Sequence, residues 1–282
     1  MKNKTTVSVI IPTYNEEQYI IECLQSLFYQ SHDPLEVIVV DDSTDDTWDI
    51  LSRFKQPHAR TAYHVFRTAH KGPAPARNLG AKKAKGDILV FVDADMRFHR
   101  MYLEKLIFPI EKNEAVATFT KEEFVANPDN IWSICWSINS YLPRNLRIDP
   151  KRPEWDMGFR AIRKDVFFKT KGYQDVGYGE DATVLSQLGN VRAKAAKGAI
   201  CYHYNPSLLS EVFVSAKWMG KGPGVPHTVR SLLTYSIINS IRRGVIDSIR
   251  YKTGAFLIFK VVFDFGFFLG LSARMLGRSY VK

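Results

Sequence analysis

Two carboxylates separated by one small residue, Asp93-Ala94-Asp95, come directly after an apolar run at residues 88–92. Five apolar residues in a row, preceded by Gly86-Asp87, predict a strand that is buried on both faces of a parallel sheet. The carboxyl end of such a strand is where open α/β sheets bind ligands, and two acids at this spacing can both turn toward one hard cation. The stretch therefore predicts an enzyme that handles a metal-bound anion, such as a phosphate ester.

Three further polar residues stand at positions suited to binding a nucleotide. Arg77 lies on the first turn of a predicted helix that opens with prolines, and an arginine there can bind a diphosphate bidentately. Asp41 and Asp42 end a second apolar run, where they could accept hydrogen bonds from a base or a ribose. Such acids can also simply cap helices, which is the interpretation we favour for Asp45 and Asp46.

The elements that must position these residues alternate between strands and helices up to about residue 120. Periodicity predicts strands at 7–11, 36–40, 62–66 and 88–92, and helices at 16–30, 48–54 and 74–85. Repeated β-α units of this length predict a parallel sheet with right-handed crossovers. Farther along, the pattern loosens, and we expect strands at 156–162 and 191–202 and helices at 180–188 and 208–219.

Composition narrows the class of protein. The 282 residues suit one large domain, or one domain with an appendage, and 45% hydrophobic residues exclude an intrinsically disordered chain. A net charge of +10 is typical of proteins that bind nucleic acid, anionic membranes or phosphate-bearing substrates. Cys23, Cys135 and Cys201 are far apart, which predicts reduced cytosolic thiols rather than disulfides or a zinc site. The first residues show no apolar signal segment.

The C-terminal residues 229–282 differ from the rest. Apolar residues recur at steps of three to five in 229–252 with arginines on other faces, which predicts a basic amphipathic helix at an anionic membrane surface. The apolar segment 255–269 is interrupted by Lys260 and Asp264, which are four apart and could pair. Since a spanning helix needs about 20 apolar residues, we favour interfacial or re-entrant insertion over a true span, with a packed soluble helix as the alternative.

Four motifs occur in a fixed order along the chain. They are Pro12-Thr13-Tyr14-Asn15-Glu16, Val40-Asp41-Asp42-Ser43-Thr44-Asp45, Ala76-Arg77-Asn78-Leu79-Gly80 and Asp93-Ala94-Asp95. Together they resemble the family 2 glycosyltransferases, inverting enzymes of the GT-A fold, over roughly residues 7–205. The resemblance implies an α/β, Rossmann-like and mostly parallel sheet flanked by helices.

The expected domains follow from the resemblance and the tail. We expect a GT-A domain at 1–228, with a nucleotide-sugar half at 7–120 and an acceptor half at 121–228, followed by a helical membrane-associating tail at 229–282. The protein would then act at the cytoplasmic face of the cell membrane, either peripherally or with one short inserted helix.

The resemblance also implies a UDP- or GDP-sugar donor and a divalent cation, Mg²⁺ or Mn²⁺. By position in the motifs, Asp95 would bind the metal and Asp93 would contact ribose or metal-bound water, with Asp93 also a candidate ligand. Arg77 and Lys71 would face the diphosphate. The expected nucleoside pocket consists of Pro12, Thr13, Tyr14, Glu16 and Asp42, with Asp41 close by.

A later acidic pair, Glu180-Asp181, resembles the family's Glu-Asp motif at the start of a helix. In that family this position supplies the general base, so Asp181 would take the proton from an acceptor hydroxyl and Glu180 would orient the acceptor. Stabilisation of a helix N-terminus is the alternative role for both acids.

His203, Lys217 and Trp218, nearer the C-terminus, each allow more than one role. His203 ends a predicted strand where some relatives place a third metal ligand, although a packed or surface histidine fits equally well. Processive relatives carry Gln-x-x-Arg-Trp where this chain has Ser215-Ala216-Lys217-Trp218. The missing Gln and Arg favour transfer of a single sugar, and Trp218 could stack on a sugar ring or pack in a core.

Other enzyme classes fit the sequence less well. Arg97 stands where haloacid-dehalogenase-like phosphatases carry threonine, and a sugar-nucleotide-forming nucleotidyltransferase should begin with a glycine-rich loop. No GxGxxG follows the first strand, which disfavours a dinucleotide dehydrogenase. A membrane-tethered binding module without activity would not need Asp93, Asp95 and Asp181 together. We expect a lipid-linked or glycan acceptor and no nucleic-acid partner.

Overall fold

The computed structural model describes residues 5–69, 72–222, 224 and 228–277. Their contacts divide the chain into two compact units. The first is formed by the described parts of Met1–Phe124, Ile148–Asp175 and Glu180–His203, and the second by those of Val125–Arg147, Val176–Gly179 and Tyr204–Lys282. The expected division into a domain at 1–228 and a tail at 229–282 stays a prediction.

The strands of the described residues form two sheets. The strands are β1 (Val7–Thr13), β2 (Glu36–Asp41), β3 (Ala62–Arg67), β4 (Ile88–Phe91), β5 (Met96–Phe98), β6 (Ala117–Phe119), β7 (Glu122–Val125), β8 (Trp155–Asp156), β9 (Ala161–Arg163), β10 (Ala193–Ala195) and β11 (Ile200–His203). Within the described residues, the large sheet has the order β3-β2-β1-β4-β9-β6-β10-β8 and the small sheet the order β5-β11-β7.

Strand direction determines which residues meet at the edge of the large sheet. β1 runs parallel to both β2 and β4, with Thr13 beside Asp41, and every residue of β2 and β4 is buried. Burial on both faces explains why these strands are apolar without alternation. β9 runs antiparallel to β4, so its amino end lies at the same edge as the carboxyl ends of β1, β2 and β4.

The helices cover the sheet and build the second unit. They are α1 (Ile20–Phe28), α2 (Thr47–Arg53), α3 (Pro73–Lys83), α4 (Tyr102–Glu111), α5 (Ile131–Asn139), α6 (Lys164–Phe167), α7 (Ala182–Ser186), α8 (Leu209–Gly220), α9 (Val229–Thr234), α10 (Ile237–Arg250) and α11 (Ala255–Met275). One apolar core of the first unit includes Val9, Leu24 and Leu106, and another includes Ile38, Phe91 and Ile162.

Three predicted segments are divided in the structure. The strand expected at 156–162 becomes β8 at an edge of the large sheet and β9 near its middle. The strand expected at 191–202 breaks at a turn where Gly198 has φ 80°, so that β10 and β11 join different sheets. The helix expected at 229–252 is interrupted between α9 and α10, where Asn239 Nδ2 donates to Thr234 O.

The second unit is held together by α11, which packs against α5, α8 and α10. A Cβ at Gly220 or Gly270 would collide with the backbone of the facing helix, so both glycines permit the close approach of α8 and α11. The core here includes Cys135, Trp136 and Phe259. By length and composition, α11 is the one helix among the described residues that could cross a membrane, and 50% of its apolar window is buried inside the protein.

The two charges within α11 pair as the sequence predicted. Lys260 Nζ lies 2.8 Å from Asp264 Oδ1 and donates to Asn139 Oδ1 at 3.0 Å. Ser240 of α10 donates to Asp264 Oδ2 at 2.8 Å. All three of Lys260, Asp264 and Ser240 are buried, so the charges are satisfied within the second unit.

Candidate active site

Asp93 stands just beyond β4 at the carboxyl edge of the large sheet. Arg77 Nη2 donates to its Oδ1 at 2.7 Å, and Arg160 Nη1 donates to its Oδ2 at 2.9 Å. Burial alone would raise the pKa of Asp93, but Arg160 and Arg77 together hold it well below its usual range. Asp93 is therefore a fixed negative charge with both carboxylate oxygens bound by guanidinium groups.

Arg77 joins this acid to the second acidic motif. Its other terminal nitrogen, Nη1, donates to Glu180 Oε1 at 2.5 Å, while the guanidinium packs over the ring of Tyr173 at 5.5 Å. The helix α3 has prolines in its first turn, which pre-set its backbone, and Arg77 is one of its buried residues. Burial would lower the pKa of Arg77, but the charges of Asp181, Asp93 and Glu180 raise it. The buried guanidinium of Arg77 therefore connects Asp93 to Glu180, because it binds both carboxylates.

Glu180 and Asp181 precede the short helix α7. Glu180 is buried, and burial raises its pKa above the ordinary value against the opposing effect of Arg77. Asp181 is half-buried, takes the N-cap position of α7, and makes no side-chain hydrogen bond to the helix backbone. The charge of Asp181 raises the pKa of both Arg77 and Arg160, which places it in the same electrostatic cluster.

A second group of contacts surrounds Asp95. His203 Nε2 lies 3.1 Å from Asp95 Oδ1 and 3.2 Å from Oδ2, and His203 Nδ1 lies 2.7 Å from Glu123 Oε1. His203 ends β11 and Glu123 lies on β7, and these two strands pair within the small sheet. Arg160 Nη2 is 3.9 Å from Glu123 Oε2. The contacts around Asp95 are thus linked through Glu123 and Arg160 to those around Asp93.

Glu123 and Arg160 were missed by the sequence analysis. Arg160 precedes β9, and its position in the site depends on an antiparallel strand that inserts between β4 and β6. No hydrophobic pattern distinguishes that insertion from another parallel strand. Glu123 adjoins Glu122 in a segment without a recognised motif, and its contacts with His203 and Arg160 in the folded chain identify it.

The expected nucleoside residues lie at the carboxyl ends of β1 and β2. Thr13 donates to Asp41 Oδ1 at 2.9 Å, and Ser43 donates to the same oxygen at 2.6 Å. Asp41 Oδ2 is buried and has no hydrogen-bond partner among the described residues. Nearby in sequence, Pro12, Tyr14 and Glu16 are half-buried and Asp42 is buried. Of the acids assigned to capping, Asp45 accepts from the backbone of α2, whereas Asp46 makes no side-chain cap.

The three other candidates are Trp218, Lys217 and Lys71. Trp218 lies on α8 in the second unit, with its ring 5.3 Å from that of Tyr178, and Lys217 beside it is exposed. Lys71 lies outside the described residues.

Comparison with known proteins gives a consistent picture. The model of the family described as "Glycosyl transferase family 2" matches residues 8–169, more than half of the chain. A putative teichuronic acid biosynthesis glycosyltransferase of Bacillus subtilis is 36% identical over 124 residues, which is 44% of this chain and 49% of that protein. The chain spans between about a fifth and a half of the length of the curated relatives that it matches first.

Solved structures share the fold at low sequence identity. A mannosyltransferase from Pyrobaculum calidifontis, in complex with GDP-Man and Mn²⁺, has a TM-score of 0.64 and 19% identity, covering 99% of this chain and 89% of that one. Residues 1–349 of S. aureus TarS in complex with UDP give a TM-score of 0.56 and 19% identity, covering 97% and 92%. The predicted GT-A fold is confirmed.

Proposed function

The chain belongs to glycosyl transferase family 2, and from this membership we propose that it transfers one sugar from a UDP- or GDP-sugar to an acceptor with inversion at C1. The observation that carries this proposal is the grouping of charged residues in the first unit, with Asp93 and Glu180 held on one guanidinium. This arrangement brings the motif expected to bind the donor beside the motif expected to supply the base.

Asp41 supports a nucleoside pocket at the ends of β1 and β2. A buried carboxylate oxygen without a partner is costly, and an N–H group of a base is the kind of donor that would satisfy Asp41 Oδ2. Thr13 and Ser43 hold the other oxygen, so the carboxylate is fixed in orientation. Two structures with the same fold were solved with GDP-Man and with UDP.

The contacts of His203 fit a divalent cation at Asp95. The short contact from Nδ1 to Glu123 assigns the ring proton to Nδ1 in the neutral histidine, so Nε2 then directs a lone pair at both oxygens of Asp95. A cation or a proton between them relieves that repulsion. Carboxylates suit Mg²⁺ and Mn²⁺, and neutral imidazole is a common metal ligand. Among the described residues, no three or more His, Cys, Asp or Glu side chains are grouped so that they could hold a metal ion. The remaining ligands would therefore be diphosphate oxygens and water.

Asp95 and His203 would thus hold Mg²⁺ or Mn²⁺. The bound cation would offset the charge of the departing nucleoside diphosphate. Glu123 would fix the histidine ring from behind, a common arrangement around metal-binding histidines. Asp93 would position Arg77 and Arg160 and remain ionised throughout, since the pKa of its carboxyl is held low by both.

Asp181 would act as the general base. Its neighbour Glu180 is buried and already bound by Arg77, which leaves the half-buried Asp181 for proton transfer. Its carboxylate would take the proton of the acceptor hydroxyl as that oxygen attacks C1 opposite the leaving diphosphate. The bond to the nucleotide breaks as the new glycosidic bond forms, which inverts the configuration at C1.

A lipid-linked or glycan acceptor at the cytoplasmic face of the membrane completes the proposal. One relative is named for teichuronic acid biosynthesis. The basic, apolar segment 229–282 would add an affinity for a membrane surface.

Two measurements test the proposal. Thermal stabilisation by a panel of nucleotide sugars with Mn²⁺ should single out one donor, and no stabilisation by any of them would remove the donor assignment. Asp181→Asn should keep that stabilisation but lose about 10²- to 10⁴-fold in transfer rate. Asp175→Asn serves as the matched control, and a nearly normal rate for Asp181→Asn would refute the base.

A further inference from the structure

The helix α10 packs against the protein through small and polar residues and exposes its large apolar side chains to solvent. Its two buried residues are Ser240 and Gly244. Its large apolar side chains are exposed, at 79% for Ile238 and 74% for Ile249. Surface helices of globular proteins normally show the opposite arrangement, with the apolar stripe toward the core.

This orientation is fixed by packing against α11. A Cβ at Gly244 would lie 2.8 Å from Leu257 Cδ1 and 3.1 Å from Leu257 Cα, so the glycine favours this close approach of the two helices. One turn earlier, Ser240 donates to the buried Asp264. Rotating α10 to bury its isoleucines would break this hydrogen bond and force larger side chains into the contact.

The outward side of α10 is a continuous apolar stripe. Residues at spacings of three and four lie above one another on a helix, and here they are Ile238, Ile241, Val245 and Ile249, all exposed. Arg242, Arg243 and Arg250 are also exposed on the same helix. A contiguous apolar stripe with basic residues around it is typical of helices that lie in an anionic membrane interface.

The helix α11 is poorly suited to span the bilayer itself. Lys260 and Asp264 pair with each other and contact Asn139 and Ser240 in the interior of the second unit. Insertion of α11 across lipid would separate this pair from Asn139 and Ser240 or carry it into the hydrocarbon, where charged side chains are costly. We therefore expect α11 to stay packed in the second unit and to hold α10 at its surface.

We propose that α10 lies in the plane of an anionic phospholipid surface, with its isoleucine stripe among the acyl chains and its arginines at the headgroups, and that α11 does not cross the bilayer. This inference deepens the membrane contact proposed above and rests on it. It assigns that contact to one face of one helix.

Vesicle binding by the full chain tests the assignment. The partition coefficient should be higher for vesicles that mix phosphatidylglycerol with phosphatidylcholine than for phosphatidylcholine alone. Ile238→Ser with Ile249→Ser should lower it at least about tenfold, because apolar groups leave the acyl region. Replacing Arg242, Arg243 and Arg250 by glutamine should lower binding to the mixed vesicles about fivefold per arginine. Phe168→Ser, an exposed aromatic in the first unit, should bind as the unaltered protein does.

Three results would overturn the proposal. The first is equal vesicle binding by the double-serine variant and the unaltered protein. The second is retention of the protein on vesicles through alkaline carbonate extraction, which would indicate that α11 is inserted as a span. The third is a smaller oligomer for the double-serine variant than for the unaltered protein in solution, with vesicle binding unchanged, which would make the stripe a contact between copies.

The donor site provides an independent readout. The double-serine variant should keep its thermal stabilisation by nucleotide sugars, because α10 contributes no residue to the proposed donor site. If vesicle binding depends on the stripe while no nucleotide sugar binds, the surface assignment stands and the glycosyltransferase proposal fails.

Discussion

Arg77 Nη1 lies 2.5 Å from Glu180 Oε1, across a separation of 103 residues in the chain. The same guanidinium binds Asp93 at 2.7 Å. One side chain therefore fixes the distance between the loop after β4 and the segment that carries Asp181. The buried arginine is a structural requirement of the proposed site, whatever further contact it makes with a donor.

Arg77→Ala should destabilise the protein by about 3–5 kcal/mol, because it leaves two carboxylates in the interior without their shared cation. Urea unfolding measures the loss. Arg53→Ala, which removes an exposed pair with Asp49 at 4.0 Å, is the matched control and should change stability by less than about 0.5 kcal/mol. Equal losses for the two variants would show that the buried connection adds no stability.

His203→Ala and Glu123→Gln should both weaken Mn²⁺ binding. Removal of a group that orients a metal-bound histidine typically costs about 10- to 100-fold in affinity, and we expect a loss in that range for Glu123→Gln and a larger one for His203→Ala. Electron paramagnetic resonance of free Mn²⁺ in the presence of UDP or GDP reports the affinity directly. His99→Ala, which alters an exposed histidine, should bind as the unaltered protein does, and normal affinity in His203→Ala would remove the metal assignment.

Asp93 and Glu180 should affect stability in opposite directions as pH changes. The pKa of Asp93 is lowered in the folded state, so its contribution is complete at neutral pH and is lost as the pH falls below about 4, the unfolded value. The pKa of Glu180 is raised, so its contribution is complete below about pH 4.3 and is lost as the pH rises through the folded value.

Urea unfolding of the metal-free protein across this pH range checks both signs. The stability gap between the unaltered protein and Asp93→Asn should narrow on acidification below about pH 4. The free energy of unfolding of the unaltered protein minus that of Glu180→Gln should instead fall as the pH rises above about 4.3. Two gaps that do not vary with pH would contradict the assigned charge states.

We expect that removing one charge of the pair in α11 destabilises the protein more than removing both charges. Lys260→Met leaves Asp264 buried without its cation and should cost about 3–5 kcal/mol in the free energy of unfolding. Lys260→Met with Asp264→Leu removes both charges and should recover most of that loss. Lys194→Met, which breaks a more exposed pair with Glu114, is the control. A double variant as unstable as the single one would show that burial of the ion is not the cause.

The sequence predicted the first half of the fold because buried parallel strands produce unbroken apolar runs. The predicted strands at 7–11, 36–40, 62–66 and 88–92 correspond to β1 to β4, and the ordered motifs led to the family that the comparison confirms. This membership favours the glycosyltransferase over the phosphatase and nucleotidyltransferase alternatives.

The second half was less predictable because its contacts are not local. β6 and β9 contribute three residues each to the large sheet, which is too few for periodicity to be recognised. Arg160 and Glu123 enter the site through that topology. Likewise, the pattern of α10 showed an amphipathic helix, but which side faces the protein depends on Gly244 and on the facing helix α11.

The alternation of charge through the first unit has an evolutionary consequence. Glu180, Arg77, Asp93, Arg160 and Glu123 follow one another with opposite signs, so a change at one member leaves its neighbours with an excess of one sign. A lineage that lost Arg160 would carry Asp93 and Glu123 as buried carboxylates with too few cations. We therefore expect homologous sequences to change several of these residues together. Covariation between these positions in an alignment would then show that their charges depend on one another.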